Sequence, residues 1–279
     1  MTVLVFGASS QIGHFLLPRL LASGESVLAV SRQPHLVRSQ LNWLVGQLPD
    51  KVPRVPALSA VLSCGPLQAL ADWLAHAELE DSPRIVALSS MSADAKRDSS
   101  VLAERETSRR LQDGEAALAR VCDLRRYAWT VLRPTLIYGA GLDRSLTPIA
   151  RRAMRTRIFP LPAARGLRQP VHADDLAQAM LAALECPAAA GRVLAIGGGE
   201  RLPAVAMFAR VRRSLPRGSM PVPLPRWLLR CAAGLLPRWR GPLSRLQTDL
   251  VADNGDVQRL LGIQPRAFNP DADMWRVTP

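Results

Sequence analysis

The sequence predicts an α/β fold, a doubly wound parallel sheet with a smaller C-terminal lobe, and three observations carry that expectation. Short β-branched runs alternate with helical patterns along the chain, as they do in βαβ units. A small-residue turn with glycine at both ends, Gly7 to Gly13, joins the first such run to the first helical pattern. The length of 279 residues and a hydrophobic content of 48% suffice to fill one large core.

The elements follow in order. Val3 to Phe6 is an uninterrupted apolar run, suited to a strand buried on both faces. A helix is expected over Gln11 to Ser23, then a strand over Ser26 to Val30 and a weaker one over Asn42 to Val45. Ala60 to Ser63 reads as a strand, Pro66 to Glu78 as a helix and Arg84 to Leu88 as a strand. Val101 to Arg126 predicts a long helix whose Glu104, Arg105, Glu106, Arg109 and Arg110 form a solvated, salt-bridged face, and Trp129 to Leu132 a strand. After about residue 140 the spacing turns irregular and Pro160, Pro162, Pro216, Pro221, Pro223 and Pro225 punctuate it. There, helices are expected over Asp174 to Glu185 and Pro203 to Leu215, with a strand over Val193 to Ile196. Residues 1–140 are thus expected to form the core domain, with strands near 129–133 and 193–196 completing it, and residues 141–279 mainly the smaller lobe.

Composition bounds the partners. The net charge of +13 is almost wholly arginine, since Lys51 and Lys96 are the only lysines. Base-composition bias in the source genome accounts for that usage, or else an anionic partner does. An aromatic content of 5%, with no Arg/Lys run interleaved with aromatics that tracks a nucleic-acid groove, argues against nucleic acid. The stretch from Arg226-Trp227-Leu228-Leu229-Arg230 to Arg238-Trp239-Arg240 reads as lobe packing with snorkelling arginines, or as a membrane-surface contact. Cys64, Cys122, Cys186 and Cys231 are scattered, so neither a disulfide framework nor a metal site is expected. Met1 and Thr2 lead directly into the first apolar run, which leaves no room for a secretory leader, and a cytoplasmic location is the expectation.

The turn Gly7-Ala8-Ser9-Ser10-Gln11-Ile12-Gly13 lies between strand and helix, where a Rossmann-like fold presents a helix N-terminus to a pyrophosphate. Gly7 allows the tight exit from the strand and Gly13 the close helix packing. Ser10 stands at the middle-glycine place, where its hydroxyl and that of Ser9 can bond phosphate instead. The second strand runs on into Ser31-Arg32, with no Asp or Glu for a ribose 2′-hydroxyl. A guanidinium grips a 2′-phosphate that a carboxylate would repel, so NADP is favoured over NAD.

Three further segments carry a family resemblance: Ser89-Ser90, Arg133-Pro134-Thr135-Leu136-Ile137-Tyr138-Gly139, and Arg168-Gln169-Pro170-Val171-His172-Ala173-Asp174-Asp175-Leu176-Ala177. Together with the glycine turn they resemble extended short-chain dehydrogenases/reductases, of the NAD-dependent epimerase/dehydratase branch acting on nucleotide sugars. The resemblance implies a cofactor set that includes Ser63, Ser89, Pro134 and Ile137, with Thr135 beside the nicotinamide end, and it implies that Arg168 binds the diphosphate of a sugar substrate. Asp174 and Asp175 are expected to cap a helix. The long helix lies where relatives often dimerise, and monomer and homodimer both stay open.

The catalytic pair of that superfamily is missing. Tyr127 is followed four residues on by Val131, and Tyr138 by Leu142, so neither has the lysine that makes a phenolic proton transferable. Counting back from Glu115, with Leu118 after it, puts Leu111 at the lysine position and Thr107 at the tyrosine position. Met91 aligns with the assisting hydroxyl residue, flanked by Ser90 and Ser92 as catalytic candidates; Glu106 and Glu115 are the other conceivable acid/base groups. Two readings follow: an atypical NADP-dependent oxidoreductase or epimerase for a phosphorylated, nucleotide-sugar-like substrate, or an inactive NADP(H)-binding sensor or scaffold.

Overall fold

The computed structural model describes residues 1–36, 39–55, 57–225, 227–228, 231 and 246–276. In chain order its elements are β1 (Thr2–Phe6), α1 (Gln11–Ala22), β2 (Ser26–Ser31), β3 (Leu41–Val45), β4 (Ala60–Ser63), α2 (Leu67–His76), β5 (Arg84–Leu88), α3 (Ser92–Ala95), α4 (Leu102–Arg125) and β6 (Trp129–Pro134). They continue with β7 (Ile137–Tyr138), α5 (Thr147–Thr156), β8 (Ile158–Pro162), β9 (Leu167–Arg168), β10 (Val171–His172), α6 (Ala173–Glu185), β11 (Arg192–Ile196), β12 (Leu202–Pro203), α7 (Ala204–Arg213), β13 (Met220–Leu224) and α8 (Gly255–Leu261).

The central sheet is parallel throughout, in the order β11-β6-β5-β4-β1-β2-β3. The chain winds outward from β1 through β2 and β3, then resumes on the other side of β1 with β4. That reversal defines the doubly wound Rossmann arrangement and opens a crevice beyond the carboxyl ends of β1 and β4. Helices cover both faces, which is why β4 and β5 are almost entirely apolar rather than alternating. On one face Leu16 and Leu20 of α1 meet Leu176 and Met180 of α6; on the other Leu70 and Leu74 of α2 meet Leu118 of α4. Each such burial contributes about 1.5–3 kcal/mol. At Gly114 of α4 a Cβ would stand 3.1 Å from that of Leu67, so this glycine lets α4 pack closely on α2.

A separate core gathers Tyr138, Phe159, Phe208, Phe268 and Trp275 in the C-terminal part of the chain, under the small pairings β8–β13 and β9–β12. Yet α6 and β11, both beyond residue 140, belong to the central layers, and α8 packs beside them.

Among the described residues the structure adds three helices that the sequence pattern does not show, α3, α5 and the seven-residue α8. Helix α3 is four residues long, too short for periodicity to register. Helix α5 carries Arg151, Arg152 and Arg155, with Arg157 at its C-cap, and owes its start to Asp143, whose carboxylate accepts from the amides of Ser145 (2.8 Å), Leu146 (2.6 Å) and Thr147. Most of the arginine- and tryptophan-bearing stretch from 226 to 240 lies outside the described residues; only Trp227, Leu228 and Cys231 of it fall within them.

Candidate functional site

The parallel order puts the carboxyl ends of β1, β2, β4, β5, β6 and β11 along one edge, and the site is built there. Gly7 leaves β1 with φ +72°, a left-handed conformation costly to any residue with a Cβ. A Cβ there would also lie 3.0 Å from that of Cys64, which follows β4 across the crevice. At Gly13 a Cβ would fall 2.0 Å from the Ala8 carbonyl oxygen, so only glycine lets α1 press against the turn. Ser10 is the N-cap of α1, its Oγ accepting from the Gly13 amide at 3.2 Å. The serine at the middle-glycine place therefore satisfies one helix donor itself, and the first-turn amides of Gln11 and Ile12 remain for an anion. Ser9 is exposed, and the Gln11 Oε1 atom is buried without a hydrogen-bond partner. Burial pushes the Cys64 thiol up to about 12, against a hydrogen bond from Ser10, so this wall of the crevice is neutral.

At the end of β2, Ser31 Oγ lies 3.0 Å from His35 Nε2 and accepts from the Gln33 amide at 3.2 Å. The His35 ring stacks on Trp43 at 4.0 Å and 25°, and Arg32 is exposed beside them. Residues 26–45 contain no carboxylate. The end of β2 thus offers a hydroxyl, an imidazole and an exposed cation on a segment that carries no carboxylate of its own. Ser63 ends β4 with its Oγ accepting from the Gly65 amide at 3.2 Å.

Beyond β5 and β6 the ionisable groups are bonded to one another. Ser89 Oγ donates to Glu115; Arg133 donates through Nε to Glu115 Oε1 (2.8 Å), through Nη2 to Glu115 Oε2, and through Nη1 to Asp94 Oδ2 (2.7 Å). The hydrogen bonds it donates to Glu115 outweigh burial and hold the Arg133 guanidinium above its ordinary pKa. Ser108 Oγ and Gln112 Nε2 both donate to the Ala93 carbonyl, which fixes α3 on α4. Ser90 Oγ accepts from the Ser92 amide at 3.1 Å. Thr107 donates back into its own helix, to the Ala103 carbonyl at 2.8 Å, and Leu111 is half-buried.

Neither tyrosine serves this edge. Tyr127 precedes β6, at the opposite end of the strand from Pro134, about 20 Å away at strand rise. Tyr138 is fully buried between His172 (5.1 Å) and Phe268 (4.8 Å), and burial, with the nearby Asp175 charge, pushes its hydroxyl up to about 12.

Pro134 ends β6; Thr135 then bonds through its amide to the Ile196 carbonyl (3.0 Å) and through its hydroxyl to that of Gln169. Ile137 lies on β7, paired with Val171 of β10. Arg168 is only 5% exposed, and its Nη1 donates to the carbonyls of Leu167 (2.6 Å) and Thr248 (2.7 Å), tying the lobe to the returning chain. The capping expectation for Asp174 and Asp175 is corrected: His172 caps α6, its Nδ1 accepting from the Asp174 amide at 3.1 Å. The two aspartates instead hold arginines, Asp174 binding Arg19 (2.8 Å) and Arg266 (2.8 Å) and Asp175 binding Arg266 (2.8 Å). Burial raises the Asp174 carboxyl, but the Arg19 and Arg266 bonds outweigh it and leave the pKa lowered.

Gly7, Ser9, Ser10, Gln11, Ile12, Gly13, Ser31, Arg32, Ser63, Ser89 and Pro134 thus share the strand-end edge, while Arg168 lies among lobe backbone. His35, Asp94 and Arg133 are the side chains of this edge that sequence reasoning did not single out. Arg133 stood within a quoted motif, but no spacing rule pairs a strand residue with helix residues 18 and 39 positions away.

Residues 113–197 match the sequence profile of the NAD dependent epimerase/dehydratase family. Among solved structures the chain resembles UDP-glucuronic acid 4-epimerase from Bacillus cereus in complex with NAD, at 16% identity and TM-score 0.71, covering 99% of this chain and 96% of that one. UDP-glucose 4-epimerase from Thermotoga maritima, with UDP-glucose, matches at 16% identity and TM-score 0.72 over 100% of this chain and 97% of that one. MoeE5 in complex with UDP-glucuronic acid and NAD matches at 19% identity and TM-score 0.69 over 96% and 94%. No curated protein matches the sequence.

Proposed function

Because residues 113–197 match the NAD dependent epimerase/dehydratase profile and the chain is folded like the nucleotide-sugar epimerases, we propose that it is a protein of that family, binds NADP(H) at the carboxyl edge of the sheet and acts as an oxidoreductase or epimerase on a nucleotide-sugar-like anion. The observation that carries the reading is the turn at the β1/β4 reversal, where Gly7 is left-handed and Ser10 caps α1 so that the Gln11 and Ile12 amides face outward. Ser31 and Arg32, on a segment free of carboxylates, supply the preference for NADP over NAD. A bound nicotinamide would supply hydride chemistry. Ser89 and Pro134 border its end of the crevice, and Ser90 and Ser92, on either side of Met91 at the place of the assisting hydroxyl, are the candidate catalytic hydroxyls. Arg168, at the motif position where the relatives bind it, is proposed to bind the substrate diphosphate. The lobe beyond residue 140 closes that part of the crevice.

A second reading, a non-catalytic NADP(H) sensor, is favoured by one specific observation. Glu115, Arg133, Asp94 and Ser89 are bonded together, so the acid/base-capable groups at the ends of β5 and β6 are already occupied. Calorimetry with NADPH and NADH tests the shared premise: tighter binding of NADPH is expected, and no affinity for either overturns both readings. Single-turnover oxidation of bound NADPH by UDP-sugar-derived ketones, or epimerisation of UDP-hexoses, then separates them; binding without turnover leaves the sensor.

A further inference from the structure

Positive charge is segregated in this chain. Residues 144–173 and 201–248 hold 17 of the 36 basic residues and none of the 23 acidic ones. Elsewhere the remaining 19 basic residues are outnumbered by those 23 acids, so the whole positive excess belongs to two segments. Compositional bias changes which cation a genome uses; it does not empty particular segments of carboxylates.

The fold then joins the two segments. Strand β8 comes from the first and β13 from the second, and they pair in parallel with Met220 beside Ile158. The Met220 amide donates to the Arg157 carbonyl at 2.8 Å, and Arg157 Nη1 donates to the Gly218 carbonyl at 2.9 Å. Arginines here bond mainly to backbone carbonyls, as Arg151 does to Trp275 and Gly141 and Arg212 to Ser219, and so keep their full charge. Arg152, Arg155, Arg165 and Arg217 are exposed.

Apolar side chains surface among them. Strand alternation sends Phe159 into the core and Ile158 outward, 46% exposed; Met220 is 62% exposed and Trp227 66%. Further along the same ribbon an open groove of about 420 Å³ is lined by Leu161, Pro162, Val205, Pro223 and Leu224. Apolar groups that project between unneutralised arginines match a bilayer surface, where acyl chains take the former and anionic headgroups the latter. Nucleic acid offers no counterpart to the aliphatic groups.

We propose that the edge formed by α5, β8 and β13 docks this protein on an anionic lipid bilayer. The test is co-sedimentation of the full chain with vesicles of phosphatidylcholine alone or with a third phosphatidylglycerol, at low and high salt. Binding to the anionic vesicles only, weakened by salt, is expected. Replacing Arg152→Gln, Arg155→Gln and Arg217→Gln together should weaken it on the order of a hundredfold, at about fivefold per surface arginine. Ile158→Ser with Met220→Ser should weaken it while leaving the charge intact. Circular dichroism and NADPH affinity of the variants report on folding separately from docking. Equal partition to both vesicle types, or none, overturns the proposal. So does anionic binding that ignores the Ile158 and Met220 substitutions and is displaced by duplex DNA, which would mark a generic polyanion site.

Discussion

Gly13 shows how one missing methyl group organises the crevice. A Cβ would overlap the Ala8 carbonyl, so Gly13→Ala must push α1 away from β1; urea unfolding should show a loss of about 1–3 kcal/mol, accompanied by weaker NADPH binding in calorimetry. Arg32 offers the complementary test, because it is exposed and its replacement leaves the fold alone. Arg32→Glu should lower NADPH affinity roughly 10- to 100-fold, the loss of a charge-assisted bond, and leave NADH binding unimpaired. Gly13 was legible in the sequence, since its role follows from local backbone geometry. Arg168 was legible only as a motif position. Its burial among the Leu167 and Thr248 carbonyls depends on a segment 80 residues away.

Helix α4 carries the departure from the chemistry of the family that the chain resembles. Where Tyr and Lys would project, Thr107 folds back on Ala103 and Leu111 is apolar, while Glu115 one turn later is clamped by Arg133. Glu115→Gln should destabilise the protein by about 3 kcal/mol in denaturant titration, because it strips a largely buried guanidinium of its main partner. A variant that keeps its stability but loses turnover would instead assign Glu115 to proton transfer. Helix α6 gives a pH signature. Burial, followed by the Arg266 charge, holds His172 below the ordinary histidine pKa of 6.5, so the neutral ring belongs to the folded state. Stability is therefore complete above that pH and declines as pH falls through it toward the lower folded pKa. Tm measured against pH should show this decline, and His172→Asn, which still accepts from the Asp174 amide, should remove that part of it.

At the scale of the molecule, the Asp174 cluster ties α1, α6 and the segment at Arg266 into one body. Its depressed carboxyl adds stability at neutral pH that is lost only as pH drops below the usual carboxylate range. The two segments without carboxylates carry the whole positive excess, and the rest of the chain leans acidic. Such a charge distribution orients the protein on a surface irrespective of what its crevice binds.

The sequence by itself determined the doubly wound sheet, the glycine turn and the absence of a Tyr/Lys pair, because each is written in local periodicity, in turn chemistry or in the identity of single residues. Tertiary structure alone decided that Tyr138 is sealed between His172 and Phe268, that Arg133 binds Glu115 and Asp94, and that β8 and β13 bring two basic segments together. These contacts join residues tens of positions apart, and no pattern along the chain encodes which distant side chains the folded backbone will set face to face.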